Sequence, residues 1–294
     1  MRSFDVDVLL DVEADVGESP TWEATRQALV WVDIYRRLVH VLDPATGVDR
    51  ATDVGECVGA AAPTADDRLV LALESGFALF DPDTGTLRHV AEIQNRAPDA
   101  LMNDGKCDPQ GRFVAGSTTR SETVGAAALY RLDTDCAVDV LFGEVTLSNG
   151  LGWSPDGRIM YYVDSALQRI DTFRYSEAGE VMDRRIFVEI PEAAGMPDGL
   201  AVDADGYVWL ALWGGSAVRQ YSPEGVLAGE VRLPVSQVTS CAFGGADWGD
   251  LFITSACWGM DEAARQQEPH AGAIFAARPG AFGHPTNRFT GEST

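Results

Sequence analysis

Positive charge is scarce in this chain: 22 Lys and Arg stand against 45 Asp and Glu, a formal charge of -23 over 294 residues. Such a surface repels polyanions, so neither nucleic acid nor an anionic membrane is an expected partner. Long apolar runs are missing as well. No stretch approaches the ~20 residues of a membrane-spanning helix, and the opening MRSFDVDVLLDVEADVGESP has neither the basic flank nor the apolar run of an export signal. A soluble cytoplasmic protein is the expectation. Cysteine is sparse: Cys57, Cys107, Cys136, Cys241 and Cys257 show no CxxC or zinc-type spacing. An odd number without an export signal reads as free thiols. Histidine is scattered, at His40, His89, His270 and His284. The G-x-S-x-G, HExxH, P-loop and G-x-G-x-x-G patterns are all missing. These absences argue against a His-based triad, a zinc centre and a nucleotide cradle.

What the chain does have is a repeat. Tight-turn signals fall at Thr25-Arg26, Asp66-Asp67, Gln110-Gly111, Asp156-Gly157, Asp205-Gly206 and Asp247-Trp248-Gly249. They recur every ~40–50 residues, the length of one propeller blade. Each turn is flanked by short β-branched and aromatic runs such as Leu29–Val32, Leu69–Leu73, Ile159–Val163, Tyr207–Leu212 and Leu251–Thr254, which favour strands. DPATG, DPDTG and SPEG read as outer turns. Six units make an all-β, six-bladed propeller of four-stranded antiparallel blades around a central channel, expected to occupy residues 1–294 as one domain. Ring closure should pair Phe4 to Leu10 with Gly272 to Ala277. The acidic stretch Met260 to Gln267 is the best candidate for a short helix. Cys107 and Cys241 fall on innermost strands and read as buried small apolar residues.

Seven residues before each turn stands a residue that begins an innermost strand: Glu18, Gly59, Asn103, Asn149, Asp198 and Ser240. Propeller symmetry carries equivalent positions to one mouth of the channel. Glu18, Asn103, Asn149 and Asp198 should therefore meet there, although any one Asn-Gly or Asp-Gly could be only a turn. Glu18 is not a turn former and is followed by Ser19-Pro20. Two carboxylates in a partly desolvated channel raise each other's proton affinity unless a cation compensates. Carboxylates with amide carbonyls are hard oxygen donors that suit Ca²⁺, Mg²⁺ or Mn²⁺ and leave Zn²⁺ or Fe²⁺ open.

GESPTW (17–22) with WVDI (31–34), NDGKCDPQGRFVAGS (103–117), SNGLGWSPDGRIMYYVDS (148–165), PDGLAVDADGYVWLALW (197–213) and TSCAFGG (239–245) resemble the SMP-30/gluconolactonase/luciferin-regenerating-enzyme family, the regucalcin-like propellers and bacterial sugar lactonases, over about Val12 to Gly259. The resemblance implies one divalent metal held by Glu18, Asn149 and Asp198. It also implies Asn103 in contact with substrate or with water on the metal, a proton-transfer role for Asp198, and hydrolysis of a sugar lactone to the aldonic acid. The expected partner is that small-molecule lactone, and the expected state is a monomer or weak homo-oligomer.

The chain departs from the family in one place: Leu101 stands where many sugar lactonases carry a substrate-binding Arg. An apolar side chain there suggests a less polar or differently placed substrate. Arg120 and Glu122 are the candidates for substitute contacts. Trp213 and Trp258 would serve sugar stacking or packing between blades, and Asp104 and Lys106 loop stability rather than chemistry. Two rival readings remain: a non-catalytic calcium-binding propeller, and an esterase or organophosphate hydrolase on the same scaffold.

Overall fold

The computed structural model describes residues 2–94 and 96–291. Six antiparallel sheets form a six-bladed propeller. In the first blade Gly17–Glu23 is innermost, followed outwards in chain order by Ala28–Asp33, Leu38–Asp43 and Val48–Asp53. The other innermost strands are Val58–Pro63, Ala100–Cys107, Ser148–Trp153, Met196–Val202 and Val238–Gly244. Each touches the next, and the last touches the first, so the ring is closed.

Alternating side chains explain why such a ring holds together. Along Leu69–Leu73, Leu69, Leu71 and Leu73 pack towards the first blade while Val70 and Ala72 pack towards the third. A blade is therefore buried on both faces, and a strand such as this one is apolar along its whole length rather than amphipathic. The core is accordingly six clusters, one between each pair of neighbouring blades. Outermost strands such as Val48–Asp53 lie largely in solvent.

The predicted inner turns carry the left-handed residue that a tight hairpin needs: Asp67 (φ 64°), Gly111 (φ 82°), Gly157 (φ 70°), Gly206 (φ 84°) and Trp248 (φ 59°). In the first blade it is Gln27 (φ 51°), one residue beyond the predicted pair. The helix is Glu262–Gln267, inside the predicted stretch, with Asp261 as its N-cap. All five cysteines are free. No helix among the described residues is long and apolar enough to cross a membrane.

Closure follows the expectation with one correction. Val6–Leu10 pairs antiparallel with Ile274–Ala277 in the sixth blade. Phe4 belongs instead to Arg2–Phe4, which runs parallel to Leu227–Arg232 on the fifth blade. The N-terminal segment thus spans two blades. At the end of the channel where the innermost strands finish, residues 282–290 cross as a strap. Phe282 and Gly283 bond to Ala204 and Trp248, and Phe289 and Thr290 bond to Pro63, Ala65 and Gly111. Phe289 is fully buried between the second and third blades. Beneath the strap lies a cavity of about 100 Å³ lined by Trp22, Cys107, Trp153, Phe243 and Lys106.

Candidate metal centre

Every innermost strand carries an extra residue near its start. The irregularities lie between Glu18 and Thr21, Val58 and Ala60, Met102 and Gly105, Ser148 and Leu151, Pro197 and Leu200, and Val238 and Ser240. A bulge re-aims the side chains beside it, here at the mouth of the channel and once per blade. The glycines after Asn149 and Asp198 are not turn glycines, since neither adopts a positive φ. They are required by close approach between blades. A Cβ at Gly150 would lie 2.6 Å from the Asp198 carbonyl oxygen, and one at Gly199 would lie 2.0 Å from Ser240 Oγ.

Two of the four candidate residues are joined by a hydrogen bond, and the directed chain they belong to reaches the residue before a third. Asn103 Nδ2 donates to the Ser148 carbonyl (2.7 Å) and to Asn149 Oδ1 (2.9 Å). Asn149 Nδ2 donates to Ser165 Oγ (2.9 Å), whose hydroxyl donates to the carbonyl of Pro197 (2.7 Å), the residue before Asp198. Blades three, four and five are thus tied together at the mouth. Glu18, from the first blade, accepts from the Ser19 amide at 2.6 Å and lies within Coulombic reach of Asp198. All four side chains are buried.

Burial is what charges this site with potential. Desolvation, then the charge of Asp104, push Glu18 up to about 8, against smaller opposing effects of the Ser19 amide and Lys106. Asp198 is pushed well above the usual carboxylate range by desolvation, then by Glu18 and Asp104. Anions gathered in this way call for a counter-charge. Among the described residues, no three His, Cys, Asp or Glu side chains come together closely enough to hold an ion on their own. A cation here would take the two carboxylates of Glu18 and Asp198 with the amide oxygen of Asn149, and that hard donor set fits a divalent ion.

Residues 16–257 match the SMP-30/Gluconolactonase/LRE-like region. The chain belongs to that family. Among its relatives, regucalcin of Danio rerio is 37% identical over 296 residues, covering 99% of this chain and 100% of the other. YvrE of Bacillus subtilis, whose name assigns it provisionally as a sugar lactone lactonase, is 34% identical over 96% of this chain and 97% of its own length. A solved structure of regucalcin from Agrobacterium tumefaciens, a calcium-binding protein, superposes with a TM-score of 0.93 at 28% identity, covering 98% of each chain.

Against this family background, Leu101 is only 2% exposed and packs in the apolar cluster with Ile34, Cys57 and Val58. Arg120 is at the same end of the channel, where its guanidinium meets Glu74 at 2.7 Å and the Cys57 sulfur at 3.7 Å. Glu122 is exposed, and both it and Arg120 act electrostatically on Tyr35. Trp258 stacks on Tyr35 with ring centroids 4.3 Å apart yet remains 48% exposed, while Trp213 pairs with Met196 and bridges to Gln237.

Three supporting residues escaped sequence reasoning. Ser165 is one, through the link described above. The others are Asp33 and Asp164, which occupy the same place in blades one and four. Asp33 accepts the amides of Asp15 (2.9 Å) and Val16 (3.3 Å), and Asp164 those of Thr146 and Leu147 (both 3.1 Å). Each carboxylate pins the linker that leads into Glu18 or Asn149. The available signal was the repeated Val-Asp at the end of an apolar strand, in WVDI and YVDS.

Proposed function

We propose that this protein is a divalent-metal-dependent lactone hydrolase that opens a sugar (aldono-)lactone to the aldonic acid. The observations that support the reading are two carboxylates, Glu18 and Asp198, buried on separate blades within Coulombic reach of each other, and the buried Asn103–Asn149 hydrogen bond at the same end of the innermost strands. The gluconolactonase membership of the family and the name of the B. subtilis relative support the substrate class.

Glu18, Asn149 and Asp198 would hold the ion, with Ca²⁺, Mg²⁺, Mn²⁺, Zn²⁺ and Fe²⁺ as the candidates. A divalent ion bound there supplies Lewis acidity towards a carbonyl and makes water more acidic. Water adds to the lactone carbonyl carbon, and the proton it loses is accepted by Asp198, whose burial favours proton uptake. Both N–H donors of Asn103 are held by the Ser148 carbonyl and Asn149 Oδ1, so it would orient the lactone through its amide oxygen, which can accept a substrate hydroxyl. The bond between carbonyl carbon and ring oxygen then breaks, and the ring oxygen takes up the proton to leave a hydroxy acid. The Tyr35–Trp258 pair leaves the rim of the mouth partly apolar, whereas Leu101 is withdrawn into the core.

The test is a pH-indicator assay on gluconolactone, xylonolactone, arabinolactone and galactonolactone, with chelated and cation-reconstituted protein and elemental analysis of the purified form. Cation-dependent acid release on at least one lactone is the expected result. Cation binding without turnover on any of them would favour the second reading, a calcium-binding propeller, which the naming of the A. tumefaciens relative supports. Turnover confined to aryl esters or phosphotriesters would favour a different hydrolase, the reading that Leu101 motivates.

A further inference from the structure

One charged pair in the channel has no place in the reaction above. Asp104 is fully buried directly after Asn103; its Oδ1 accepts the Gly105 amide at 2.7 Å, while its Oδ2 has no hydrogen-bond partner. Two residues further on, the Lys106 ammonium reaches across to the Leu200 carbonyl of the fifth blade, above the cavity closed by the strap. Neither forms an ion pair at contact distance with the other or with Glu18 or Asp198 among the described residues. All four are nonetheless within Coulombic reach as a group: Asp104 acts on Glu18 and on Asp198, and Lys106 acts on Glu18 and on Asp104.

A buried carboxylate oxygen with no partner is costly, and an ammonium satisfied only by a backbone carbonyl is nearly as much so. Their persistence side by side, just below the proposed donors, has an electrostatic consequence. Asp104 and Lys106 offset each other in formal charge, so each taken singly acts on a cation at the site in the opposite sense to the other.

We propose that Asp104 and Lys106, neither of them a ligand, tune the cation affinity of the channel in opposite directions, the carboxylate strengthening it and the ammonium weakening it, and the more so the higher the charge of the ion. They are positioning residues that act through the field at the site, and the inference rests on the reading of Glu18, Asn149 and Asp198 as a cation site.

The experiment is calorimetric titration of chelated protein with Ca²⁺, and with Tb³⁺ as a trivalent probe, for wild type, Asp104→Asn, Lys106→Met and the double variant. If charge is the cause, Lys106→Met tightens Ca²⁺ binding and Asp104→Asn weakens it, each by roughly tenfold or more, as expected for a unit charge acting across a partly desolvated site. The double variant returns towards wild type. The ratio of Tb³⁺ to Ca²⁺ affinity rises in Lys106→Met and falls in Asp104→Asn, because a trivalent ion feels a lost charge more strongly than a divalent one. Lys106→Gln, which keeps a donor for the Leu200 carbonyl, replaces Lys106→Met if the latter does not fold. Single variants that shift affinity in the same direction, or leave the ratio of the two ions unchanged, would overturn the proposal while leaving the cation site standing. Wild-type protein that binds neither ion would overturn both.

Discussion

At the scale of single residues, the site is a set of polar side chains whose positions are fixed by one another. Asn149 can present its amide oxygen only because its nitrogen is held by Ser165 Oγ at 2.9 Å. Ser165→Ala removes that anchor without opening space. Loss of a group that orients a ligand typically costs 10–100-fold in metal affinity, so calorimetry should show Ca²⁺ or Mn²⁺ binding weakened by roughly that factor, with the thermal midpoint of the chelated protein lowered by a few degrees because Asn149 Nδ2 and the Pro197 carbonyl lose their buried partner. Glu18→Gln and Asp198→Asn act more directly. Each keeps the shape of the side chain and removes a charge that burial has already made expensive. Lactone turnover in either should fall by at least ~10²-fold, the scale of a lost proton-transfer group or a lost ligand. Full activity in either variant would refute the assignment of these carboxylates.

At the scale of elements, the repeat was legible because it is written in two independent codes, turn residues at a fixed interval and apolar runs between them. The candidate residues were legible for the same reason, since each blade supplies one side chain at the same offset from its turn. What could not be read was anything that depends on a neighbouring blade. Leu101 has the offset of a substrate contact, but the adjacent wall of Ile34, Cys57 and Val58 draws it into the core. The glycines of Asn149-Gly150 and Asp198-Gly199 look like turn signals, whereas their purpose is to let the next blade approach. Phe289 sits in a segment without periodicity, and only the strap geometry explains why a Phe so near the C-terminus is fully buried. Asp33 and Asp164 belong to this group. Replacing either by Ala leaves two backbone amides in the linker without their acceptor. A loss of about 1–3 kcal/mol is expected for each, measurable as a lowered denaturant midpoint. Asp164→Ala should in addition weaken cation binding, because its linker leads directly into Ser148-Asn149. Unchanged stability in both variants would show that water replaces the carboxylates at no cost.

At the scale of the whole molecule, the ring stores unfavourable charge at its centre and is closed at its rim by segments from both ends of the sequence. Val6–Leu10 supplies the outer strand of the last blade and covers the edge of Ile274–Ala277. Deleting residues 1–10 would expose that edge and should lower the thermal midpoint and promote association. The stored charge has a pH signature of its own. Glu18 is raised from 4.5 to about 8 and Asp198 is raised well above the usual carboxylate range by burial and then by Glu18, so the folded, cation-free protein binds protons more tightly than the unfolded chain does. For groups raised in this way, the stability they contribute is fully present below the ordinary carboxylate range and is lost as pH rises through the folded value. Protein kept in chelator should therefore lose several degrees of thermal midpoint between about pH 5 and pH 8 from this pair, beyond any slope that Glu18→Gln/Asp198→Asn protein shows over the same range. Saturating divalent cation replaces the protons as counter-charge, so the same scan with the ion present should be flatter and displaced upwards, most of all at pH 8. Parallel pH profiles for chelated wild type and the double variant would show that the two carboxylates are not driven together by the fold.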